Sequence, residues 1–278
     1  MPALANYTAT RYLQPLREGG SLPAVVDTDG GGLFVVKFRG SGQGAKALVA
    51  ELIFALLAAE VGLPTPDVAL IEIPAPFGRN EPDPEIQDIL RASHGTNVGL
   101  RYLDGAFNFE NIAAGEFISP DFAARVVWFD ALLTNPDRTH RNPNLLIWDR
   151  QPWLIDHGAA LYAHHDWGGT DEARTRTPFP RIRDHVLLAC SGDIESADAT
   201  LAAALTPDRI AGVLALVPDS LLLDPIAGAE YASAADARTR YQNYLETRLR
   251  EPRAWVAEAS AARERVRTEP PRRLAARR

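Results

Sequence analysis

A chain of 278 residues is long enough to form two substantial hydrophobic cores, since domains usually contain about 100 to 200 residues. Its formal net charge of −7 argues against a general nucleic-acid-binding role, and its single cysteine, Cys190, excludes an internal disulfide framework and a cysteine-rich zinc site. Because the longest apolar runs are short and interrupted, we expect neither a signal peptide nor a membrane span and predict a soluble, cytoplasmic protein.

Short strands separated by glycine-rich turns are predicted at 9–16, 24–27 and 33–38. The first turn contains Gly19, Gly20 and Ser21, whose backbone N–H groups can face phosphate oxygens, although glycines at a hairpin usually serve only the turn. Lys37 lies in the third strand, between apolar neighbours. We predict that it binds phosphate; the alternative is that it faces solvent from the strand.

The chain uses lysine very sparingly: of its 29 cationic side chains, only Lys37 and Lys46 are lysines. Lysine carries a compact charge on a flexible stem, which fits a narrow phosphate pocket better than the planar guanidinium of arginine. Both lysines lie in the most glycine-rich part of the chain. This pattern predicts a phosphate-binding region, with chance clustering as the alternative.

A helix is predicted at 45–61, where apolar residues recur at helical spacing until Gly62 and Pro64 end it. Glu51 lies among these apolar residues, so it either points inward to Lys37 or remains exposed. The residues that precede and begin the helix can surround phosphate groups at its N-terminus. They are Ser41, Gly42, Gln43, Gly44 and Lys46.

The middle of the chain contains two further predicted strands, at 67–73 and 98–103. The segment 74–93 between them is rich in proline and acidic residues and is interpreted as an insertion with one short helix. A link at 103–109 follows. Apolar residues at helical intervals then predict a helix at 122–134.

This helix leads to a loop with Asp137 and Asn142, followed by the apolar runs LLIW and WLID, which residues 149–152 separate. The two runs predict a hairpin, which returns its second end beside its first. Asn142 before the hairpin and Asp156 after it are therefore expected to lie close together and to share a hard ion such as magnesium. The alternative is that these Asn, Pro and Asp residues only form turns.

The order of these residues is that of a phosphoryl-transfer centre. Such a centre needs a carboxylate that orients the acceptor hydroxyl, an Asn five residues later and a second carboxylate that holds the metal. A rival hypothesis is a metal-dependent hydrolase, although the chain has no HExxH helix. Its ligands would be Asp156, His157, His164 and His165.

Beyond residue 194, helices are predicted at 197–204, 207–216 and 229–267, with a break at Pro252. The sequence of this part contains no motif that indicates a catalytic or binding function. The basic end at 263–278 is predicted to be a frayed tail, with the docking of acidic partners as the alternative.

Three segments together resemble the HipA-like kinase family, bacterial relatives of the Ser/Thr toxin kinase HipA that are also similar to phosphatidylinositol kinases. The segments are KFRGSGQGAKALVAE, NPDRTHRN and LIDHG, and the resemblance covers roughly residues 10–190. It implies ATP with Mg²⁺, a phosphate-binding Lys37 and Glu51 as the partner of this lysine. It also implies Asp137 as the catalytic base, and Asn142 and Asp156 as metal ligands.

The predicted fold class is α+β: a two-lobed protein-kinase-like fold with a small, mainly β N-lobe and a larger, mainly helical C-lobe. The predicted domains are a nucleotide-binding lobe at 1–104, a catalytic helical lobe at 105–262 and a disordered tail at 263–278. One departure from the protein-kinase pattern is His157, which stands where the usual triplet has Phe.

The predicted function is transfer of the ATP γ-phosphoryl group to a hydroxyl, with a protein Ser or Thr as the first candidate acceptor and a small molecule as the second. The alternative is a nucleotide-binding interaction module without transfer activity. The expected partners are the nucleotide and an unidentified acceptor, with no membrane and no general nucleic-acid binding.

Overall fold

The computed structural model describes residues 4–16, 22–42, 44–79, 81–110 and 114–269. The predictions for Gly19, Gly20, Ser21 and Gln43 lie outside these residues, as does the end of the basic tail. Within the described ranges, the chain has the mixture of strands and helices that the sequence predicts.

Five strands form a closed barrel: β1 (Ala5–Pro15), β2 (Ala24–Thr28), β3 (Gly32–Lys37), β4 (Val68–Ile73) and β5 (Gly95–Arg101). The order is β1-β2-β3-β5-β4, and the parallel pairing of β1 with β4 closes the barrel, which the sequence does not predict. Phe34 and Val36 of β3 belong to the barrel core. Since side chains alternate along a strand, Lys37 lies on the other face of β3.

Helix α1 (Gly44–Glu60) packs on the outside of the barrel, against β4 and β5. It is buried along most of its length because apolar residues occupy nearly all of its faces, and Glu51 is buried among them. The insertion before β5 contains one short helix, α2 (Pro84–Ala92), as predicted. This helix begins where the Asp83 carboxylate accepts a backbone N–H at 3.0 Å.

A small sheet follows, with the order β6 (Phe107–Asn108), β7 (Leu145–Trp148) and β8 (Gln151–Leu154). The predicted four-residue connection at 149–152 is wrong, because the turn between β7 and β8 contains only Asp149 and Arg150. Their φ angles of 48° and 59° are those of a tight two-residue hairpin turn. Pro152 is accommodated in β8 because β8 is an edge strand.

The rest of the described chain is mainly helical and is arranged around α4 (Pro120–Leu132). The Ser119 hydroxyl accepts the Phe122 N–H at 3.1 Å and so caps α4 at its start. No helix in the described ranges is both long and apolar enough to cross a membrane. The other helices are α3 (Ala114–Phe117), α5 (Glu172–Thr175), α6 (Ile194–Ala204), α7 (Pro207–Ala215), α8 (Asp219–Leu222), α9 (Ala234–Leu249) and α10 (Ala254–Thr268).

The core of this helical part contains Trp128 and Trp255, whose ring centroids lie 5.2 Å apart in an edge-on arrangement. The chain breaks between α9 and α10 at Pro252, as expected. Helix α10 continues beyond residue 263, so the predicted tail starts too early. One reason is that Arg263 Nε donates to the Ser191 carbonyl at 2.9 Å, which ties this turn to the body of the protein.

Polar contacts join the helical part to the barrel and α1. Arg39 Nη2 lies 2.5 Å from Asp224 Oδ2, and both side chains are mostly buried. Arg125 Nη2 of α4 donates to the Val61 carbonyl, just after α1, at 2.5 Å. These contacts set the position of Lys37 and Glu51 relative to the loop that follows α4.

Candidate active site

The centre of the site is an ion pair between β3 and α1. Lys37 Nζ lies 2.5 Å from Glu51 Oε2 and also donates to Asp156 Oδ1. Burial alone would lower the pKa of Lys37, but the two carboxylates outweigh it and hold this pKa above its usual value, so the lysine stays charged. Glu51 Oε2 also accepts the His157 backbone N–H at 2.7 Å. One glutamate therefore holds both the lysine and the segment that carries Asp156.

The loop after α4 places Asp137 beside two asparagines. Asp137 Oδ2 accepts hydrogen bonds from Asn142 Nδ2 at 2.8 Å and from Asn144 Nδ2 at 3.2 Å. Asn144 Nδ2 also lies 3.4 Å from the backbone oxygen of Asp156. Burial raises the pKa of Asp137, and the negative charge of Asp156 raises it further. The structure thus brings the three predicted residues together, and Asn144 is the link that the sequence analysis missed.

These groups are suitable for magnesium. Asn142 uses its amide nitrogen for Asp137, which leaves Oδ1 available to a cation, and the Asp156 side chain is partly exposed. Carboxylate and amide oxygens are the hard ligands that Mg²⁺ prefers. Among the described residues, no three His, Cys, Asp or Glu side chains cluster in a way that could hold a metal without such an amide.

The glycine-rich turn before α1 is tight, and two of its described residues, Ser41 and Gly44, form hydrogen bonds within it. Ser41 Oγ donates to the Phe38 carbonyl at 2.8 Å, and the Gly44 N–H donates to the Ser41 carbonyl at 2.9 Å. Gly42 and Gly44 have positive φ angles of 45° and 63°, which glycine adopts without strain. Their contact with phosphate stays a prediction.

Lys46 points away from this turn toward the helical part. Its Nζ donates to the His164 carbonyl at 2.5 Å and to Glu230 Oε1 at 2.7 Å. The two lysines that the sequence groups together therefore occupy different surroundings, because Lys37 lies on a strand and Lys46 on a helix that faces the C-terminal segment.

The histidines of the rival hydrolase hypothesis lie in two separate places. His164 Nδ1 lies 3.0 Å from the Tyr241 hydroxyl, and its Nε2 lies 3.2 Å from His165 Nε2. His157 instead stacks on Phe54 of α1, with ring centroids 3.8 Å apart. The aromatic ring of His157 thus packs in the core behind Asp156, the place that Phe takes in the protein-kinase triplet.

A buried polar network that the sequence analysis missed supports the loop. Asp130 of α4 accepts hydrogen bonds from Arg138 Nε at 2.6 Å and from Asn135 Nδ2 at 2.7 Å, and it lies 2.9 Å from His185 Nε2. Burial alone would raise the pKa of Asp130, but the Arg138 cation and the His185 contact override this and hold it far below its usual value. Asp130 is therefore a buried, ionised carboxylate.

The network around Asp130 contacts the loop of Asp137 through Asn135, and it contacts Asn144 and His157 through Arg138. Asn135 Oδ1 accepts the Asp137 backbone N–H at 3.2 Å. Arg138 donates to the Asn144 carbonyl and lies 3.4 Å from His157 Nδ1. The sequence contains one signal for this network. Asp130 lies in the otherwise apolar run VVWFDALL, and a charged residue in such a run is expected to be buried and paired. Its partners, however, cannot be read from spacing alone.

The buried histidines predict a loss of stability in acid. Burial lowers the pKa values of His164 and His185, the latter despite the opposing effect of Asp130. Since both folded-state pKa values lie below the unfolded value of about 6.5, the unfolded chain binds more protons as the pH falls. We expect each residue to remove at most about 1.4 kcal/mol of unfolding free energy per pH unit, as the pH falls from that value to the folded-state pKa.

Urea denaturation at pH 7.5, 6.5 and 5.5 measures this effect. A His164→Gln variant should show a shallower pH dependence, whereas His94→Gln, at an exposed position, should match the wild type. An unfolding free energy that does not fall between pH 6.5 and 5.5 would contradict the assignment of neutral, buried histidines.

Comparison with solved structures defines the fold of the chain. The chain superposes on the crystal structure of the Helicobacter pylori proinflammatory kinase CtkA with a TM-score of 0.53. The alignment covers 96% of this chain and 100% of that chain, at 10% sequence identity. At this identity the likeness shows the fold alone, so the fold is kinase-like.

The family follows from the sequence. A sequence model of the HipA-like kinases matches residues 10–171, more than half of the chain and a range that contains every predicted active-site residue. The chain therefore belongs to the HipA-like kinase family, which confirms the resemblance noted above. No protein with a curated description matches the chain.

Proposed function

We propose that this protein is an ATP-dependent phosphotransferase with the two-lobed arrangement of protein kinases, in which the barrel part, 1–104, and the helical part, 105–262, enclose the nucleotide. The kinase family and the kinase-like fold support this function. The observation that carries it is the meeting of Asp137 and Asp156, linked by Asn144, beside the ammonium group of Lys37.

Each group has a role in this proposal. Asp137 orients the acceptor hydroxyl and takes its proton as the hydroxyl oxygen attacks the γ-phosphorus; the bond from this phosphorus to the β–γ bridging oxygen breaks, and ADP leaves. Lys37, held by Glu51, contacts the phosphates of the nucleotide. Asn142 and Asp156 would hold Mg²⁺, which neutralises the charge that develops on the transferred group. Catalysis rests on positioning and electrostatic stabilisation, because the protein forms no covalent bond to the phosphoryl group in direct transfer.

The proposed acceptor is a protein Ser or Thr hydroxyl, as the family resemblance implies, and a small-molecule hydroxyl is the second candidate. The proposed location is the cytoplasm, with neither a membrane nor nucleic acid as a general partner. The proposed partner at the site is the nucleotide, which the charge of the buried Lys37 supports because an ammonium group suits phosphate oxygens.

An Asp156→Asn variant tests the metal-binding role. Asp156 has a φ angle of 55°, and Asn tolerates this left-handed conformation, so the exchange removes the charge with little strain. We expect Mg–ATP at 100 times its Kd to stabilise the wild type by about 2.7 kcal/mol and the variant by far less. The measurement is the thermal unfolding midpoint with ATP at increasing Mg²⁺ concentrations.

Asp149→Asn is the matched control, because Asp149 also has a positive φ angle, 48°, but lies in the exposed hairpin turn. It should respond to Mg–ATP like the wild type. An unchanged magnesium titration in Asp156→Asn would remove Asp156 from the metal site. Stabilisation of the wild type without release or transfer of phosphate would indicate a nucleotide-binding module that does not transfer phosphate.

A further inference from the structure

A cavity lies in the helical part, between the C-terminal end of α4, the segment 162–179 and helix α9. Its volume is about 160 Å³, enough for one carboxylate or phosphate group. The polar groups that line it are hydroxyls and guanidinium groups, together with the carboxylate of Asp166. The hydroxyls belong to Thr134, Tyr162, Thr170, Thr175, Thr177 and Tyr244, and the guanidinium groups to Arg174 and Arg248.

Arg248 gives the cavity an uncompensated positive charge. Its side chain is 3% exposed, and it donates to three backbone carbonyls at 2.7 to 2.8 Å, those of Ala131, Leu132 and Thr175. Among the described residues, no carboxylate forms an ion pair with it. Because a guanidinium has five N–H groups, three of these bonds leave donor capacity for another acceptor.

The remaining charges on the cavity wall balance each other. Asp166 is the carboxylate in the lining, and its Oδ2 lies 2.9 Å from Arg174 Nη1. The Thr134 and Tyr244 hydroxyls lie 3.3 Å apart and can turn toward an added acceptor. The guanidinium of Arg181 lies 6.0 Å from the ring centroid of the exposed Tyr162 at the rim. The cavity therefore has a net positive charge, and the hydroxyls of Thr134, Tyr162 and Tyr244 can donate to an anionic group.

The cavity is also close to the proposed catalytic base. Thr134 lies three residues before Asp137, and three residues of chain span at most about 11 Å. A peptide bound in an extended form advances about 3.3 Å per residue. A side chain roughly three residues from an acceptor hydroxyl at Asp137 can thus reach the cavity.

We propose that this cavity binds an acidic side chain, Asp or Glu, of the protein acceptor, about three residues from the phosphorylated Ser or Thr. This inference rests on the proposed function, because it places the acceptor hydroxyl at Asp137. It adds the chemical class of the acceptor: a protein segment with a carboxylate near the hydroxyl. The pairing of that carboxylate with Arg248 and Arg174 would position the acceptor segment so that its hydroxyl lies at Asp137.

The test is a binding selection with the full chain. A library of random peptides, each with a central Ser or Thr, is captured on immobilised protein with Mg²⁺ and a non-hydrolysable ATP analogue, and the bound peptides are sequenced. We expect Asp and Glu to be enriched about tenfold at one position, two to four residues from the hydroxyl, as one charge-assisted hydrogen bond predicts.

The variants Arg174→Ala and Tyr162→Phe should lose this enrichment, and both change exposed residues, so the fold should survive. Arg209→Ala removes a similarly exposed arginine far along the chain and should keep the enrichment. The proposal is overturned if no acidic position emerges or if both cavity variants select acids as the wild type does. It is also overturned if inorganic phosphate binds the wild type while the library shows no acidic position.

The selection requires no phosphoryl transfer, so the two proposals can fail separately. A wild type that neither binds Mg–ATP nor transfers phosphate would refute the proposed function, whatever peptides it binds. A wild type that transfers phosphate from ATP but shows no preference for acids would retain the proposed function and remove the acidic-acceptor inference.

Discussion

We expect the Asp137→Asn variant to bind Mg–ATP like the wild type and to transfer phosphate about 10² to 10⁴ times more slowly. The amide keeps the size of the carboxylate and can still contact Asn142 and Asn144, so the loop should keep its shape. It cannot accept the proton of the acceptor hydroxyl. Since only the transition state needs that proton transfer, the loss should fall on the rate and leave nucleotide affinity nearly unchanged.

Phosphate release or autophosphorylation with radiolabelled ATP measures the rate, and the shift of the unfolding midpoint by Mg–ATP measures binding. The Asp149→Asn variant, with the same exchange on the exposed turn, should keep the wild-type rate. A rate in Asp137→Asn close to that of the wild type would show that Asp137 is not the base. A matched loss of binding would instead indicate a structural role for its contacts with Asn142 and Asn144.

The Asp130→Asn variant should lose about 3 to 5 kcal/mol of unfolding free energy, the usual cost of breaking one partner of a buried ion pair. The reason is that Arg138 would keep its charge without a carboxylate, in a place where both side chains are excluded from water. Because Asn135 and Arg138 position the backbone of Asp137 and the carbonyl of Asn144, residual activity should fall as well.

The pH dependence gives a second readout of the same residue. The pKa of Asp130 is lower in the folded protein than in the unfolded chain, where it is about 3.9. Its contribution is thus fully present above that unfolded value and is lost as the pH falls through the folded value. The difference in stability between wild type and variant should therefore be constant from pH 8 to pH 5 and shrink only in stronger acid.

Urea denaturation at these pH values measures the difference. Asp121→Asn is the control, since Asp121 lies exposed in the first turn of the same helix and should cost at most about 1 kcal/mol through the helix dipole. Equal stability of Asp130→Asn and the control would contradict a buried ionised carboxylate at this position.

Much of the candidate site could be predicted because it is local in sequence. Asp137 and Asn142 lie on one loop, and a hairpin returns the chain to Asp156, so their meeting follows from short-range geometry. The burial of the Glu51 side chain could also be predicted from the sequence, since a helix that is apolar on nearly every face must bury any carboxylate it carries.

Other features depend on contacts between distant parts of the chain. The barrel closes through the parallel pairing of β1 with β4, and its register follows from packing rather than from any local turn. The pairing of Asp130 with His185 joins residues 55 positions apart. In the sequence, Lys46 and Lys37 appear equivalent. In the structure, Lys46 pairs with Glu230, which lies 184 residues later in the chain, and so points toward the helical part.

The amino-acid sequence by itself determined the kinase-type spacing, the family and the candidate reacting residues, because these depend on residue type and short separations along the chain. Only the tertiary structure decided which buried charges support them, how the strands close into a barrel and where the positively charged cavity lies. The physical reason is that burial and electrostatic pairing depend on distances through space, and residues far apart in sequence set these distances when they pack together.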